Sequence, residues 1–556
     1  MVGDNGRVQT TDAPSTGDDP GAPMPGEPAE GLHGGAPWWV GPLVGVLSLG
    51  AGLVLAELLA ALLTTNSSTV VEVGNRVVDL VPKPMRDWAI STFGTNDKLV
   101  LLAGVGAVLI ALAAVVGVMS LRGHRSAAVA LVAVVSIVGA LSALGRGGSG
   151  STALVATVVG GLVTITILLW LSTLADRGWP PPGTGAEGGA GSTVSDAPGA
   201  PGPSRRRFFT MSAAVGGGAV IGAGVAAWVR SNAAVAVERL GIKLPSAAAP
   251  LAPVPQGVSV GLDGVSPFLT PNEDFYRIDT ALVVPRVTAE DWTLRVHGMV
   301  DRELSLDFAA LSERPMIEVD ATIACVSNYV GGDLIGTARW LGCRLDDLLD
   351  EAGIEAGADQ IVGRSVDGFT AGFPTGVLDG RDAIVAIGMN GEPLPTAHGY
   401  PARLIVPGLF GYVSATKWLA EIELTRFEDF SGYWIPRGWD REAPITTSSR
   451  IDTPRAGSDV PAGEPLGVGG VAWAMIRGIE AVEVRVDDGQ WEQATLGEAY
   501  SDTTWRQWRH EVTLPPGEHE IAVRATDSDG VTQTGDRTEP GPNASTGWHT
   551  ISVVAS

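Results

Sequence analysis

The chain has only two cysteines, four lysines and seven histidines among its 556 residues. Two cysteines are too few for a disulfide-rich scaffold or for a metal site built from four cysteines. Acidic residues outnumber lysine and arginine together, and the formal net charge at neutral pH is −24. A chain this acidic lacks the basic surface that nucleic-acid binding requires, so we expect no nucleic acid among its partners.

Charge and apolar residues are separated along the chain. Mean hydropathy is slightly positive in spite of the strong negative charge. Residues 204–556 contain 47 acidic and 28 basic residues, whereas residues 1–203 contain 14 and 9. Most of the charge therefore belongs to the C-terminal part, and a chain of this length is expected to form several domains.

Four long apolar runs occupy residues 38–63, 99–119, 127–144 and 153–174. Each is close to the roughly 20 residues that a helix needs to cross a bilayer. Buried helices of a soluble protein are the alternative, but these would show polar faces at helical spacing. Glu57 is the only acidic residue in the runs. We therefore predict four transmembrane helices over residues 37–175, preceded by a disordered tail over residues 1–36.

A basic motif, Ser204-Arg205-Arg206-Arg207-Phe208, follows a Gly/Pro/Ser-rich linker over residues 176–203. The motif precedes a weakly apolar stretch and resembles a twin-arginine export signal. An ordinary fifth span behind a positively charged anchor is the alternative. Both interpretations leave the arginines in the cytoplasm and the rest of the chain outside. We predict a signal-anchor helix over residues 204–230 and a multi-pass cell-membrane protein with an extracytoplasmic catalytic domain.

A second linker is predicted over residues 231–270, followed by two domains. Short β-rich runs alternate with loops and with a helix at residues 345–352, which predicts an α+β domain over residues 271–453. Residues 481–486 alternate with period two and run into Asp487-Asp488-Gly489, a hairpin signal. An all-β immunoglobulin-like sandwich over residues 454–556 fits this pattern. The tryptophans available for its core are Trp473, Trp491, Trp505, Trp508 and Trp548.

The two cysteines, Cys325 and Cys343, are separated by 18 positions in the predicted α+β domain. They could form a disulfide in an exported protein, or both could be buried structural thiols. A third interpretation makes one of them a thiolate ligand of a soft metal centre.

The run PLPTAHGYPARLIVPGLFGYVSATKWL over residues 393–419 favours the third interpretation. It interleaves His398, Arg403 and Lys417 with three glycines. Glycine allows the backbone to approach a ligand closely, and arginine and lysine suit a phosphate group. Lys417 is the only lysine after Lys243 in a chain that otherwise prefers arginine. We therefore expect Lys417 to have a specific role.

These motifs resemble the sulfite oxidase family of molybdenum enzymes over about residues 270–556. The run over residues 393–419 is similar to that family's pterin-phosphate-binding stretch, and Asp274-Phe275-Tyr276-Arg277 to its early cofactor-contacting segment. The run CVSNYVGGDLIGTARWLGCRLDDLLDEAG, which begins at Cys325, resembles the segment that opens with the molybdenum-ligating cysteine. The predicted sandwich resembles the family's C-terminal dimerisation domain, which allows a homodimer.

The resemblance implies a molybdenum–molybdopterin cofactor and assigns roles to individual residues. Cys325 would be the metal ligand, and Cys325 and Arg277 would be the catalytic residues. Cys343 would be structural. The residues expected to contact the cofactor are Phe275, Tyr276, Arg277, Asp367, His398, Arg403, Ala415, Thr416 and Lys417.

The expected reaction is two-electron oxygen-atom transfer on a small molecule, in either direction. Sulfite-oxidising members carry an arginine where this chain has Asn328-Tyr329-Val330, and a tyrosine where it has Trp439. Because a small dianion needs several positive donors, the pocket is better suited to a larger or neutral substrate such as a sulfoxide.

Electrons are expected to come from a separate cytochrome or quinone-linked protein. The sequence has no haem-attachment motif, no cysteine set for an iron–sulfur cluster and no histidine inside an apolar run. The missing arginine motivates one alternative from another class, a non-catalytic membrane-anchored binding or assembly protein derived from the same family.

Overall fold

The computed structural model describes residues 35–63, 68–82, 85, 88, 92–93, 97–143, 150–179, 203–229, 233–378 and 380–556. Residues 1–34 of the predicted tail and most of the predicted linker over residues 176–203 lie outside the described residues. The α-helices are α1 (Val40–Leu63), α2 (Thr69–Leu80), α3 (Asp97–Leu121), α4 (Arg125–Ala143), α5 (Gly150–Gly178), α6 (Pro203–Val229), α7 (Ala233–Gly241), α8 (Phe308–Ser312), α9 (Leu345–Ala352) and α10 (Gly411–Ser414).

Five of the described helices, α1, α3, α4, α5 and α6, are long and apolar enough to cross a membrane. They coincide with the four predicted spans and the predicted signal-anchor helix. Apolar side chains also point outward from the bundle, including Val108, Ile110, Val220 and Ile221. Such side chains would be unfavourable in water but are well placed in lipid, so the five helices fit a membrane protein.

Helix α1 is the centre of this bundle because its glycines allow close approach of its neighbours. A Cβ atom on Gly45 would overlap the carbonyl oxygen of Ala113 in α3, and one on Gly117 would overlap that of Gly41. A Cβ atom on Gly52 would likewise overlap the side chain of Thr164 in α5. Small residues at such crossings let backbones pack closely where lipid supplies no hydrophobic driving force.

The acidic residue inside the first apolar run, Glu57, has a structural partner. Its Oε1 accepts hydrogen bonds from the Ser68 hydroxyl (3.1 Å) and the Val70 amide (3.2 Å). Ser68 is the N-cap of α2 and also accepts from the Val71 amide. Glu57 therefore stabilises the start of α2, the amphipathic helix that follows the first span.

The α+β part contains two five-stranded sheets. One has the order β3-β4-β7-β8 with β9 paired to β7, and the other has the order β2-β1-β10-β5-β6, in which only β1 and β10 are parallel. Their strands are β1 (Thr293–Gly298), β2 (Leu304–Asp307), β3 (Met316–Ala324), β4 (Ile335–Arg344), β5 (Gln360–Ser365), β6 (Thr370–Pro374), β7 (Ile384–Met389), β8 (Glu392–Pro393), β9 (Arg403–Ile405) and β10 (Leu419–Thr425). The predicted helix at residues 345–352 is α9.

The C-terminal part is all-β. Its strands are β11 (Ser448–Thr453), β12 (Asp459–Val460), β13 (Pro465–Trp473), β14 (Ile479–Val486), β15 (Glu492–Gln493), β16 (Thr495–Leu496), β17 (Arg506–Thr513), β18 (Gly517–Asp527) and β19 (His549–Ala555). The sheets β11-β13-β17-β16 and β12-β19-β18-β14-β15 face one apolar core that includes Val468, Val484 and Ile521. A two-sheet arrangement therefore forms, and its immunoglobulin-like identity stays a prediction.

The tryptophans expected in the sandwich core have different positions. Trp508 lies in that core, but Trp473 and Trp505 pack into the core of the α+β domain. Trp491 and Trp548 are half-buried and contact each other edge to face, with ring centroids 4.9 Å apart. Sequence composition does not distinguish a sandwich core from a domain interface, because both bury aromatic surface.

The segment predicted as a linker over residues 231–270 is largely packed against the α+β domain. It contains α7, and the Ala248 amide donates to the Met316 carbonyl over 2.8 Å. Val258 and Phe268 are buried in the domain core. This segment therefore fixes the route of the chain from the last apolar helix to the α+β domain.

The glycine crossing of α1 and α3 gives a prediction for stability. Gly45→Leu should destabilise the helix bundle by about 1–3 kcal/mol, because the added side chain cannot fit against the α3 backbone. Thermal unfolding in detergent measures the effect.

The matched control is Gly50→Leu on the same helix. Among the described residues, no atom other than those of its chain neighbours and its own helix backbone lies within 4 Å of the position that its Cβ would take. Equal melting temperatures for the two variants would contradict the proposed crossing.

Candidate active site

A cavity opens where the ends of β3 and β9 approach the loop before β1. It is open to solvent, and the space between its wall atoms, open solvent included, is about 910 Å³. Its charged and thiol-bearing wall residues are Asp279, Cys325, Asp367, Arg403 and Lys417. Its aromatic wall residues are Phe275, Tyr276, Phe369, Tyr412, Trp418, Trp434 and Trp439.

Cys325 lies directly after β3, at the start of a tight loop. The Cys325 amide donates to the Leu334 carbonyl over 2.9 Å, and the Leu334 amide donates to Asn328 Oδ1 over 2.9 Å. From the sandwich, the Ser545 hydroxyl donates to the Asn328 carbonyl over 2.6 Å. The loop is therefore closed by its own hydrogen bonds and held from the C-terminal domain, which fixes the thiol at the cavity wall.

The Cys325 thiol is poorly suited to ionise without a ligand. Burial raises its pKa, while the Ser327 hydroxyl, 2.9 Å from Sγ, and the charge of Lys417 act in the opposite direction. A soft metal ion would remove this proton on binding, because a coordinating thiol is deprotonated outright. The geometry therefore favours a metal-bound thiolate over a free nucleophile.

The two cysteines are unpaired, which excludes the disulfide interpretation. Cys343 is fully buried in β4, among the apolar residues of the domain core. Burial raises the pKa of its thiol to about 11. These surroundings fit the structural role expected for Cys343.

Arg403, at the start of β9, carries a buried charge that no described carboxylate neutralises. Its side chain donates to the His398 carbonyl (3.0 Å) and the Ala415 carbonyl (3.3 Å), and its guanidinium carbon lies 5.1 Å from the Trp340 ring centroid. The residue is 2% exposed, and its Nε has no hydrogen-bond partner among the described residues. Burial lowers its pKa to about 10, so the group is charged at neutral pH.

A buried charge of this kind costs several kcal/mol unless an opposite charge compensates it. No ion pair that the structure records between described residues includes Arg403. Arg403 also lines the cavity. An anionic ligand in the cavity would compensate this charge.

His398 lies behind the cavity wall. Its Nε2 donates to the Asn272 carbonyl over 3.2 Å, and its ring contacts Phe275 edge to face at 5.6 Å. Burial, together with the charges of Arg403 and Lys417, lowers its pKa to about 4. The imidazole is therefore neutral at physiological pH, and its Nδ1 has no partner within the described part of the chain.

Asp279 is the centre of an ionic cluster at the cavity edge. Its side chain is 6% exposed and lies 3.2 Å from Lys417 Nζ, 3.0 Å from Lys98 Nζ and 2.9 Å from Arg277 Nε. Burial alone would raise the pKa of Asp279, but these three cations outweigh it and hold the pKa well below its usual range. Burial lowers the pKa of Lys417 to about 8, with Asp279 acting against the shift.

The structure brings most of the predicted site residues together. The cavity wall includes Phe275, Tyr276, Cys325, Asp367, Arg403, Ala415 and Lys417. Three predicted residues lie elsewhere. Arg277 is exposed and paired with Asp279, His398 is behind Phe275, and the fully buried Thr416 hydroxyl donates to the Gly363 carbonyl over 3.5 Å.

Sequence reasoning missed Asp279, Tyr412 and Lys98. Asp279 lies two residues after the motif Asp274-Phe275-Tyr276-Arg277, so its carboxylate could have been considered from its position. Tyr412 lies inside the recognised run over residues 393–419, and its hydroxyl donates to the Asp440 carbonyl over 2.5 Å. Nothing in the sequence connects Lys98 to this site.

The residues present fit a cofactor that brings most of its own metal ligands and a phosphate. Among the described residues, no three His, Cys, Asp or Glu side chains converge to hold a metal ion. The cavity instead offers one thiol, from Cys325, together with the cations of Arg403 and Lys417. A molybdenum–molybdopterin cofactor matches this donor set, since it needs one protein thiolate and a cationic phosphate site.

Comparison with known proteins also indicates a molybdopterin-binding enzyme. Residues 281–434 match the family model described as oxidoreductase molybdopterin binding domain. The chain is 34% identical over 313 residues to sulfite oxidase from Gallus gallus, covering 47% of this chain and 67% of that protein. It is 29% identical over 343 residues to mitochondrial sulfite oxidase from Homo sapiens, covering 52% of this chain and 62% of that protein.

Among solved structures, the sulfane dehydrogenase SoxCD from Paracoccus pantotrophus overlaps with a TM-score of 0.45 at 22% identity. The overlap covers 52% of this chain and 81% of that chain. The chain spans between 54% and 67% of the length of the sulfite oxidases compared with it.

The lowered pKa of Lys417 predicts a pH dependence for cofactor binding. The ammonium form binds the phosphate, whose second pKa is about 6, so affinity of the cofactor-free protein should be nearly constant from pH 7 to about 8. Above pH 8 it should fall by up to about tenfold per pH unit, because Lys417 must first take up a proton. Titration with isolated molybdopterin across this range measures the effect.

Lys417→Arg is the matched variant, since its guanidinium stays charged throughout this range. Its affinity should not fall between pH 8 and 9.5. A wild-type affinity that is equally flat over this interval would contradict the phosphate role of Lys417.

Proposed function

Because the chain belongs to the sulfite oxidase family of molybdopterin-dependent oxidoreductases, we propose that it catalyses two-electron oxygen-atom transfer from the outer face of the cell membrane. One observation carries this proposal. The unpaired thiol of Cys325 and the uncompensated charge of Arg403 line the same cavity. A metal-bearing anionic cofactor satisfies both groups.

In this proposal, Cys325 holds the metal of the cofactor as a thiolate. Arg403 and Lys417 hold its phosphate, while Phe275, Tyr276 and Ala415 contact its ring system from the cavity wall. His398 stays neutral and supports Phe275. When bound, the molybdenum cofactor supplies the two-electron chemistry, and the protein positions it and excludes water.

The cavity wall favours a neutral, partly apolar substrate. Trp439 lies 5.8 Å from Tyr412 and 6.3 Å from Trp434, ring centroid to centroid, and all three line the cavity. The loop after Cys325 contains no lysine or arginine and so adds no cation. Asn328 closes this loop, and Tyr329 is 59% exposed. Arg403 and Lys417 are engaged by the cofactor phosphate in this arrangement. A dianion such as sulfite would therefore have few positive donors left to bind it.

A sulfoxide is the substrate class that best fits this pocket. Its reduction consumes two electrons and two protons and yields a sulfide and water, so that the oxygen atom leaves as water. The electrons would come from a separate cytochrome or quinone-linked protein. Aromatic side chains can hold the apolar groups of the sulfoxide while the sulfur–oxygen bond faces the metal.

The contact between Lys98 and Asp279 supports five membrane crossings, and the arginines before α6 support the outer location. If all five apolar helices span the membrane, Lys98 follows one crossing and Asp279 follows five. Both numbers are odd, so the two residues lie on the same side, and they contact each other over 3.0 Å. The arginines at the start of α6 fit the cytoplasmic side, as does the twin-arginine interpretation.

Replacing the proposed metal ligand tests the function. Cys325→Ser should reduce bound molybdenum and sulfoxide turnover to background, because a serine hydroxyl is a hard ligand with a very high pKa. Metal content by mass spectrometry and reduction of methyl phenyl sulfoxide by a reduced viologen dye are the measurements. Cys343→Ser is the control and should keep both the bound molybdenum and the sulfoxide turnover of the wild type.

The same assay, run beside sulfite oxidation with ferricyanide, tests the substrate class. The wild-type kcat/KM for the sulfoxide should exceed that for sulfite by at least about tenfold. Faster sulfite turnover would reject the sulfoxide proposal. A wild-type protein that binds molybdenum but turns over neither class would favour the non-catalytic alternative.

Replacing Arg205 and Arg206 together by lysine tests the location. Twin-arginine export should be blocked, and the C-terminal domains should become resistant to protease added to intact spheroplasts. Unchanged digestion in the double variant would favour the ordinary fifth span. Resistance of the wild type itself would reject the outer location.

A further inference from the structure

Lys98 links the membrane helices to the cofactor cavity. It lies in the first turn of α3 and is separated by 181 residues from its partner Asp279. Its Nζ donates to the Asp279 carbonyl (3.0 Å), Asp279 Oδ1 (3.0 Å) and the Ala281 carbonyl (2.8 Å). These three acceptors match the three N–H donors of an ammonium group. Lys98 thus holds both the backbone and the side chain of this short segment.

The segment held by Lys98 belongs to the cavity wall. Ile278, Asp279 and Thr280 line the cavity. A second element of the membrane part reaches the same segment, since a Cβ on Gly74 of α2 would lie 2.8 Å from the Leu282 side chain. Two independent contacts therefore place the membrane part against one side of the candidate active site.

The two oxygens of the Asp279 carboxylate have separate partners. Oδ1 accepts from Lys98, whereas Oδ2 accepts from Lys417 (3.2 Å) and Arg277 (2.9 Å). Lys417 Nζ also donates to the Ala397 carbonyl over 3.2 Å and lies 5.4 Å from the centroid of the Trp418 ring. Because Lys98 fixes the rotation of the carboxylate, it also fixes the oxygen against which the Lys417 ammonium is placed.

Lys98 also affects the net charge beside the proposed phosphate site. A carboxylate beside a phosphate would repel it, and Asp279 is nearly fully buried at the edge of the cavity. With Lys98 present, three cations surround this one carboxylate. Without Lys98, Asp279 would be compensated by Lys417 and Arg277 alone, and less positive charge would face the ligand.

We propose that Lys98 is a positioning residue of the cofactor-phosphate site, so that the membrane helix α3 takes part in retaining the molybdopterin. This inference rests on the proposed function, which places the phosphate at Arg403 and Lys417. The apolar helices would then do more than anchor the catalytic domain, because Lys98 would complete its phosphate site. The chemical class recognised is a phosphate monoester dianion.

The test measures cofactor retention in the purified full-length chain. Lys98→Met keeps an apolar side chain of similar length and removes the charge. The half-time of molybdopterin release at elevated ionic strength should shorten by about tenfold, whereas Lys98→Arg should stay within about threefold of wild type. Lys243→Met, at an exposed lysine of the same chain, is the matched control and should release at the wild-type rate.

Two further variants separate the charge effect from loss of domain docking. Gly74→Leu disturbs the α2 contact with Leu282 without touching Asp279, and should release cofactor more slowly than Lys98→Met. In an Asp279→Asn background, Lys98→Met should have little additional effect, because the carboxylate that Lys98 orients is gone. Equal release from the Gly74 and Lys98 variants would overturn the inference. A Lys98→Met effect that is just as large in the Asp279→Asn background would overturn it too.

Wild-type retention in Lys98→Met would also overturn the inference. Lys417→Ala distinguishes this failure from failure of the proposed function. If Lys417→Ala loses the cofactor and Lys98→Met keeps it, only the role of Lys98 is wrong. If Lys417→Ala keeps the cofactor as well, the phosphate assignment itself is wrong.

Discussion

The buried charge of Arg403 is the constraint on which the rest of the site depends. Arg403 is 2% exposed, and within the described part of the chain its guanidinium donates only to backbone carbonyls, which is unfavourable for a charge in a folded protein. Its cost is offset when an anionic ligand occupies the cavity. The stability of the folded protein should therefore rise when the anionic ligand binds.

The fold places three separate parts of the chain around this charge. The sheet β3-β4-β7-β8 with β9 brings Cys325 and Arg403 to one cavity. The all-β part holds the loop after Cys325 through Ser545, and a second contact joins Tyr500 to Asp320 of β3 over 2.7 Å. The apolar helices contact the cavity-lining residue Asp279 through Lys98. Because each part contributes a polar contact to the site or its supporting loop, their arrangement matters for function as well as for stability.

Sequence patterns predicted the features that are local in the chain. The rarity of lysine, the spacing of glycines and the position of Cys325 pointed to a phosphate and a metal site, and the apolar runs predicted the long helices. Side-chain direction was harder to predict in irregular segments: Thr416 and Arg277 were expected to contact the cofactor, but neither lines the cavity. The contact between Lys98 and Asp279 could not be predicted, since it joins positions far apart and depends on how the two parts of the chain pack.

The central claim is that Cys325 binds the molybdenum of a cofactor whose phosphate compensates Arg403. Anomalous X-ray diffraction from crystals of the purified, molybdenum-loaded chain, collected on both sides of the molybdenum absorption edge, tests this claim most directly. The proposal predicts a single strong anomalous peak within covalent bonding distance of Cys325 Sγ, with phosphate density beside Arg403 and Lys417. A molybdenum peak elsewhere, or an empty cavity in molybdenum-loaded protein, would contradict it.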